Sequence, residues 1–251
     1  MRHLPDGLVT EPVSELDHGV LRSGKEAQIN LVEWFGPDGR SCLVARKFYL
    51  PREVKQKGQL EALGVQRSST FRNDVEYREG RQFRKTRDRR AVERMTTYGK
   101  RLLQSRWTSH EHDVMQQLWE SGAPVPYPIR YADEVFHLEY VGDESMAAPQ
   151  LAGARLGGDD LTSAWEQTVE GLHAVAAAGF AHGDLSAYNL LWWEGRVWFI
   201  DFPQAVDLAQ NPQGLEFLHR DVVNVATWFR RRGLDVDADE VFAEVLTSVY
   251  G

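Results

Sequence analysis

The stretch from His182 to Gln204 constrains this chain more than any other. It reads His-Gly-Asp-Leu-Ser-Ala-Tyr-Asn, then Leu-Leu-Trp-Trp, Glu-Gly, Arg-Val-Trp-Phe-Ile and finally Asp201-Phe-Pro-Gln204. Asn189 to Trp193 predicts a short strand, Glu194-Gly195 a turn, and Arg196 to Ile200 a second strand rich in β-branched and aromatic residues. A tight hairpin brings Asn189, at its entrance, close to Asp201, at its exit. Asp184 lies on the loop just before it. Two hard oxygen ligands suit Mg²⁺, which takes one or two protein oxygens and completes its shell with phosphate oxygens and water. Asp184, outside that pair, is placed to receive a proton from a hydroxyl. A single Asp or Asn at a strand end is usually a turn or cap residue. The order and spacing of all three point to chemistry. His182 is expected to hold the loop through hydrogen bonds rather than to act on a substrate.

Composition narrows the setting. A chain of 251 residues buries a real core as one or two compact units. The formal net charge of -8 gives no global attraction to nucleic acid. Cys42 is the one cysteine, which excludes an internal disulfide and a multi-Cys zinc site. No apolar run approaches the length of a membrane span, and the start lacks an apolar signal core, so a cytoplasmic chain without membrane association is expected. Charge is unevenly placed: residues 51–106 carry 16 Lys or Arg against 7 Asp or Glu, a net of +9, and the remainder carries -17. Such separation points to an anionic partner for the basic segment, or to a solvated insertion.

Along the chain, residues 1–15 are expected to form a tail. Gly19 to Trp34 reads as strand, glycine-containing turn and strand, Pro37-Asp38-Gly39 as a hairpin turn, and Cys42 to Tyr49 as a third strand carrying Lys47. Residues 51–106 read as a long insertion, partly helical around Arg78 to Leu103. A helix is predicted over Trp107 to Glu120, with Val114, Met115 and Leu118 on its apolar side. Ser121-Gly122 and Pro124, Pro126 and Pro128 stop it. Val135 to Gly142 predicts a strand leading into a hinge near residue 140. Thr162 is the expected cap of a helix over Ser163 to Ala178, with Trp165, Val169, Leu172 and Val175 on one face. Leu215 to Arg232, unbroken or with one break, and Ala238 to Tyr250 read as two more helices. The expected units are a tail (1–15), a β-rich lobe (16–140, with the basic insertion 51–106) and a mainly helical lobe (141–251).

An H-x-D-x-x-x-x-N loop followed by a strand-end Asp is the catalytic-loop arrangement of protein kinases. In a kinase-like small lobe, Lys47 would reach the α- and β-phosphates of a nucleotide, and Glu111 is the candidate partner for Lys47. The turn Ser23-Gly24-Lys25 has one glycine where a usual phosphate loop has three, yet its amides, the Ser23 hydroxyl and Lys25 could cradle phosphate. Backbone groups of Glu139 and Val141 would meet an adenine edge.

With these pieces in order, the sequence resembles the RIO family of atypical protein kinases, closest to its Rio1 branch. Ser23-Gly-Lys-Glu-Ala27 is similar to the family's phosphate loop, Val141-Gly-Asp-Glu-Ser-Met146 to the segment after the hinge, His182 to Asn189 to H-x-D-L-S-x-Y-N, and Ile200-Asp-Phe-Pro-Gln204 to I-D-x-x-Q. Leu215 to Asn224 resembles the helix that follows, and Gly183 stands where Ala is commoner. The resemblance implies a two-lobed α+β fold without the activation-loop and A-P-E segments, binding ATP and Mg²⁺ and acting as a Ser/Thr protein kinase. It implies Asp184 as the catalytic Asp, Asn189 and Asp201 as metal ligands, and Lys47 with Glu111 as the ion pair that positions ATP. It also implies Asp201 as an acceptor of the γ-phosphate. Two alternatives stand beside it: an ATP-driven ribosome-assembly switch, reaching ribosomal RNA or a ribosomal precursor through residues 78–106, and a small-molecule phosphotransferase of the aminoglycoside type, which shares H-G-D. The three intact site residues argue against a non-enzymatic nucleotide-binding scaffold. With no A-P-E segment after Asp201, short peptides are expected to be poor substrates.

Overall fold

The computed structural model describes residues 3–24, 27–49 and 97–250. Five antiparallel strands form the first lobe: β1 (Ser14–Ser23), β2 (Ala27–Phe35), β3 (Ser41–Tyr49), β4 (Pro128–Ala132) and β5 (Val135–Glu139). They lie in the order β1-β2-β3-β5-β4. Successive side chains of a strand point to opposite faces. The register sets Lys47 of β3 opposite Phe136 of β5, and Phe136 belongs to the main core. Lys47 therefore points to the side where the rest of the protein packs. On the other face Val32, Trp34 and Val44 form a small separate core, which Val9 completes.

The tail expected over residues 1–15 thus packs in part against this sheet. Val9 is buried, its amide donates to the Cys42 sulfur at 3.2 Å, and the Val13 amide donates to the Phe35 carbonyl at 2.8 Å. Alternating large apolar residues on β2 leave a face that must be covered, and the N-terminal segment covers it.

Helix α1 (Thr97–Glu120) crosses behind the sheet and buries Val114, Met115, Leu118 and Trp119. It begins at Thr97 rather than Trp107. No proline interrupts residues 97–106, and Gly99 alone costs only about 1 kcal/mol. Most of the basic insertion lies outside the described residues.

The second lobe is mainly helical. A 3₁₀ turn (Leu151–Gly153) is followed by α2 (Asp159–Ala177), the two-residue strand β6 (Phe180–Ala181), the hairpin β7 (Leu190–Trp193) and β8 (Arg196–Phe199), the short strand β9 (Val206–Asp207), α3 (Gly214–Arg230) and α4 (Ala238–Tyr250). Helix α2 starts before the predicted cap. Gly158 is its N-cap, Asp159 and Asp160 place negative charge on its first turn, and Thr162 lies inside that turn. Leu161, Ala164, Thr168, Leu172 and Val175 are its buried positions. Helix α3 is unbroken and buries Leu218, Val222, Val225 and Phe229. Its core is continuous with that of α1 and β5, so both lobes share one hydrophobic interior. The architecture is a two-lobed α+β fold of the protein-kinase kind. Among the described residues, no helix is long and apolar enough to cross a membrane.

The β7–β8 hairpin closes through Glu194 and Gly195, both at positive φ (48° and 74°), as a two-residue loop between right-twisted strands requires. Its underside meets α2 at Gly171. A Cβ there would overlap the Phe199 ring. Helix propensity alone would make Gly171→Ala stabilising by about 1 kcal/mol. The packing predicts the opposite sign, a loss of about 1–3 kcal/mol from forced displacement of helix or ring. Urea unfolding of the two proteins decides between them.

Candidate active site

Lys47 is the convergence point. Its ammonium donates to both carboxylate oxygens of Glu111 (2.7 and 2.9 Å) and to Oδ1 of Asp201 (2.7 Å). Glu111 is 1% exposed, whereas the Asp201 side chain is 48% exposed. One carboxylate is thus a buried anchor and the other faces the cleft. The Glu111 Oε1 also accepts the Phe202 amide at 3.1 Å, so the residue after Asp201 is tied to the same helix. The positive charge of Lys47 holds the Asp201 carboxyl below its usual value, against the opposing effect of desolvation.

The hairpin sets the second half of the site. Asn189 and Ile200 lie one residue outside the strands that the sequence predicts them to start and end. The Ile200 amide donates to the Asn189 carbonyl at 3.0 Å, which brings the backbone of Asn189 beside the residue preceding Asp201. The Asn189 side-chain amide donates to the Asp184 carbonyl at 2.9 Å, which turns its Oδ1 away from that carbonyl. Asp201 itself adopts φ +71°, a strained value for a non-glycine residue. An amide oxygen and a half-exposed carboxylate at the two ends of one hairpin match the donor chemistry of Mg²⁺. The charge balance agrees. Lys47 offsets one of its two carboxylate neighbours, and Asp184 adds further negative charge at the cleft, so a divalent cation would be attracted there.

Asp184 stands exposed on the loop between β6 and β7. Desolvation by the surrounding walls raises its carboxyl, with Asp221 and Asp201 pushing the same way and His182 and Arg220 opposing. The loop is fixed from below. His182, 2% exposed, donates from Nε2 to the Ile200 carbonyl at 3.0 Å and packs on Phe202 with ring centroids 4.4 Å apart. Gly183, at φ +82°, leaves no room for a Cβ against the Gln204 carbonyl. The departure from Ala at this position is what the local backbone demands.

The residue that sequence reasoning missed is Asp221 on α3. It is fully buried, and its two oxygens accept the amides of Gly183 (2.8 Å) and Leu185 (2.9 Å). Arg220 donates to the Gly183 carbonyl and Asn224 to the Leu185 carbonyl at 3.1 Å. One turn of α3 therefore grips the peptide groups on both sides of Asp184. A signal was present in the sequence. Leu218, Asp221, Val222 and Val225 share one helical face, and a carboxylate in an apolar stripe is an anomaly.

The other predicted residues lie at or just beyond the ends of β1 and β5. Ser23 is exposed at the end of β1, where Gly24 turns the chain by donating to the Ala27 carbonyl at 2.8 Å; Lys25 lies outside the described residues. The strand before the hinge is shorter than predicted. The strand ends at Glu139 rather than Gly142. Glu139 is bound inward, its amide to the Tyr127 carbonyl at 2.8 Å and its carboxylate to the Tyr127 amide at 2.9 Å. The Val141 carbonyl accepts the Ala148 amide at 3.0 Å. Neither the Glu139 N–H nor the Val141 carbonyl is thus turned to a ligand.

Two outcomes follow for Asp221→Asn. The asparagine turns an NH₂ against one of the loop amides, so unfolding free energy should drop by about 1–3 kcal/mol at neutral pH. Burial raises the Asp221 carboxyl, so the native state keeps this proton to higher pH than the unfolded chain does. Wild-type stability drawn from this group is greatest in acid and declines as pH rises through the raised value; the variant lacks that decline. The stability gap should therefore be wider near pH 4 than at pH 7 in parallel urea titrations, and a gap that widens with pH would contradict the assignment.

Comparison with known proteins bears on the same stretch. A family model described as the RIO domain matches residues 57–241. The RIO-type serine/threonine-protein kinase Rio1 of Thermoplasma acidophilum is 34% identical over 135 residues, 54% of this chain and 69% of that protein. The Rio1 kinase of Haloferax volcanii is 36% identical over 136 residues, covering 54% of this chain and 46% of its own length. Human serine/threonine-protein kinase RIO3 is 30% identical over 165 residues, 65% and 31% of the two chains. This chain thus spans 69% of the Thermoplasma protein but under half of the other two. The crystal structure of Rio2 kinase from Chaetomium thermophilum in an ADP/Mg²⁺-phosphoaspartate complex superposes with a TM-score of 0.59 at 20% identity, over 93% of this chain and 62% of that one. The family model spans Glu111, Asp184, Asn189, Asp201 and Asp221, though not Lys47, and the chain belongs to the RIO family of serine/threonine-protein kinases.

Proposed function

We propose that this chain transfers the γ-phosphoryl group of ATP to a Ser or Thr hydroxyl, of a protein substrate or of itself. The observation that carries the reading is Lys47 held between buried Glu111 and cleft-facing Asp201. An ammonium fixed this way is presented to nucleotide phosphates rather than lost to solvent. Asn189 and Asp201 would hold Mg²⁺, which supplies charge neutralisation across the phosphates when bound. Asp184 accepts the proton of the attacking hydroxyl as its oxygen bonds to the γ-phosphorus and the bond to ADP breaks. Val141 would offer its amide to the adenine edge. The net +9 of residues 51–106 supports an anionic macromolecular partner, such as ribosomal RNA or its precursor particle.

A second acceptor is favoured by one feature: the Asp201 carboxylate is half exposed at the phosphate end of the cleft. Attack by its oxygen on the γ-phosphorus would leave an acyl phosphate on Asp201 and release ADP.

The test separates binding from transfer. Asp184→Asn should keep Mg²⁺-dependent nucleotide binding and lower transfer by about 10²-fold or more, the scale of a positioned general base. Asp201→Ala should lose the metal dependence of nucleotide binding. Mass spectrometry after turnover locates the phosphate; a hydroxylamine-labile group on Asp201 marks the second route. Asp201→Ala with unchanged Mg²⁺ dependence would overturn the metal assignment.

A further inference from the structure

The catalytic loop is gripped at its near end by α3, at Gly183 and Leu185. A different segment holds its far end. The chain between the hinge and α2 runs alongside residues 187–192 and bonds to them repeatedly. The Trp192 amide donates to the Pro149 carbonyl at 3.0 Å, and the Ala152 amide to the Ala187 carbonyl at 2.8 Å. Gln150 forms an antiparallel bridge with Leu191. Between these backbone links one side chain reaches in: the Gln150 amide nitrogen donates to the Tyr188 carbonyl.

That carbonyl belongs to the peptide group joining Tyr188 to Asn189. Its orientation fixes the Asn189 amide, which donates to the Ser186 carbonyl at 2.9 Å, and so fixes where the Asn189 side chain starts. The other end of the Asn189 side chain is fixed by its bond to the Asp184 carbonyl. A donor at the Tyr188 carbonyl therefore sets the angle at which Asn189 Oδ1 enters the cleft. None of the three links from this segment ends on that peptide group; its N–H side is held within the loop by Ser186, and its carbonyl side is held by Gln150.

We propose that Gln150 is a positioning residue for the metal, acting through the Tyr188–Asn189 peptide to aim Asn189 Oδ1 at Mg²⁺. This rests on the reading of Asn189 as a metal ligand. Gln150 touches neither substrate nor metal. What it supplies is a hydrogen-bond donor in one place, which makes the role specific to donor chemistry rather than to bulk. An isosteric acceptor there repels the Tyr188 carbonyl, whereas any long side chain ending in N–H can replace it.

The experiment titrates Mg²⁺ against binding of a fluorescent ATP analogue for wild type, Gln150→Glu, Gln150→Lys and Asn189→Ala, with the melting temperature recorded for each. Gln150→Glu should raise the half-saturating Mg²⁺ concentration about three- to tenfold, the scale of one hydrogen bond. Gln150→Lys should return it to within about twofold of wild type. Nucleotide affinity without metal should be the same in wild type and in the two Gln150 variants. If Asn189→Ala shifts the Mg²⁺ dependence and Gln150→Glu does not, the positioning role is wrong and the metal assignment stands. If Glu and Lys weaken Mg²⁺ and lower the melting temperature alike, the residue is only structural and the proposal falls. If Asn189→Ala leaves the Mg²⁺ dependence unchanged, the underlying reading itself fails.

Discussion

Everything in the cleft depends on one buried ammonium. Lys47 has left water for a site that is almost closed, a transfer that costs several kcal/mol unless the charge is paired and hydrogen-bonded. Glu111 supplies two such bonds from α1, and Asp201 a third from the end of the hairpin. A strand of the first lobe, a helix behind it and a turn of the second lobe are joined at one atom. Glu111 adds the Phe202 amide to the same group. Removing Lys47 would leave a fully desolvated carboxylate with its main partner gone, so the pairing is a condition of the fold as well as of the chemistry. The asymmetry between its partners fits the proposed function: the buried one fixes, and the exposed one is available.

The cleft is also a place where like charges are kept close. Asp201 and Asp221 both push the Asp184 carboxyl up, and burial raises Asp184 and Asp221. Three carboxylates within one loop system are tolerable because each has a separate answer. Asp201 has Lys47. Asp221 has two backbone amides, which are dipoles rather than charges and lose nothing to salt. Asp184 is exposed on its loop, its rise is opposed by His182 and Arg220, and its raised proton affinity fits the proposed role of proton acceptor. Division of roles among identical side chains is set by environment alone.

Legibility in the sequence followed the range of the signal. The hairpin could be read because its turn, its alternation and its flanking polar residues all lie within two dozen positions. Lys47 and Glu111 could be paired only through the kinase-like order of motifs, since nothing local marks either. Asp221 went unnoticed although it breaks the apolar stripe of α3, because a stripe is normally read for what fits it. The cap at Thr162 failed for a different reason. Gly158 starts α2 through backbone freedom, while the first-turn Asp159 and Asp160 supply the charge that a capping side chain would have shared. Val9 was unreadable in principle: a single valine in a proline-flanked segment acquires meaning only when Val32, Trp34 and Val44 present an uncovered face.

The connection from Asp201 to α3 shows what this site does without. Residues 202–213 make their own short structure: Ala205 donates to the Phe202 carbonyl at 3.1 Å, β9 pairs with β6, and the Leu208 amide reaches the Gly179 carbonyl at 2.9 Å. Asp207 then caps the next turn through the amides of Ala209 and Gln210, both at 2.9 Å. Such a segment, pinned at nearly every second residue, has little freedom to swing between open and closed arrangements. It offers no extended strip on which a peptide could lie. On the proposed role of Asp184, the geometry that orients an acceptor hydroxyl would come from the acceptor itself, through its own fold or the assembly that carries it. On that reading a large, structured substrate would be favoured over a short flexible peptide.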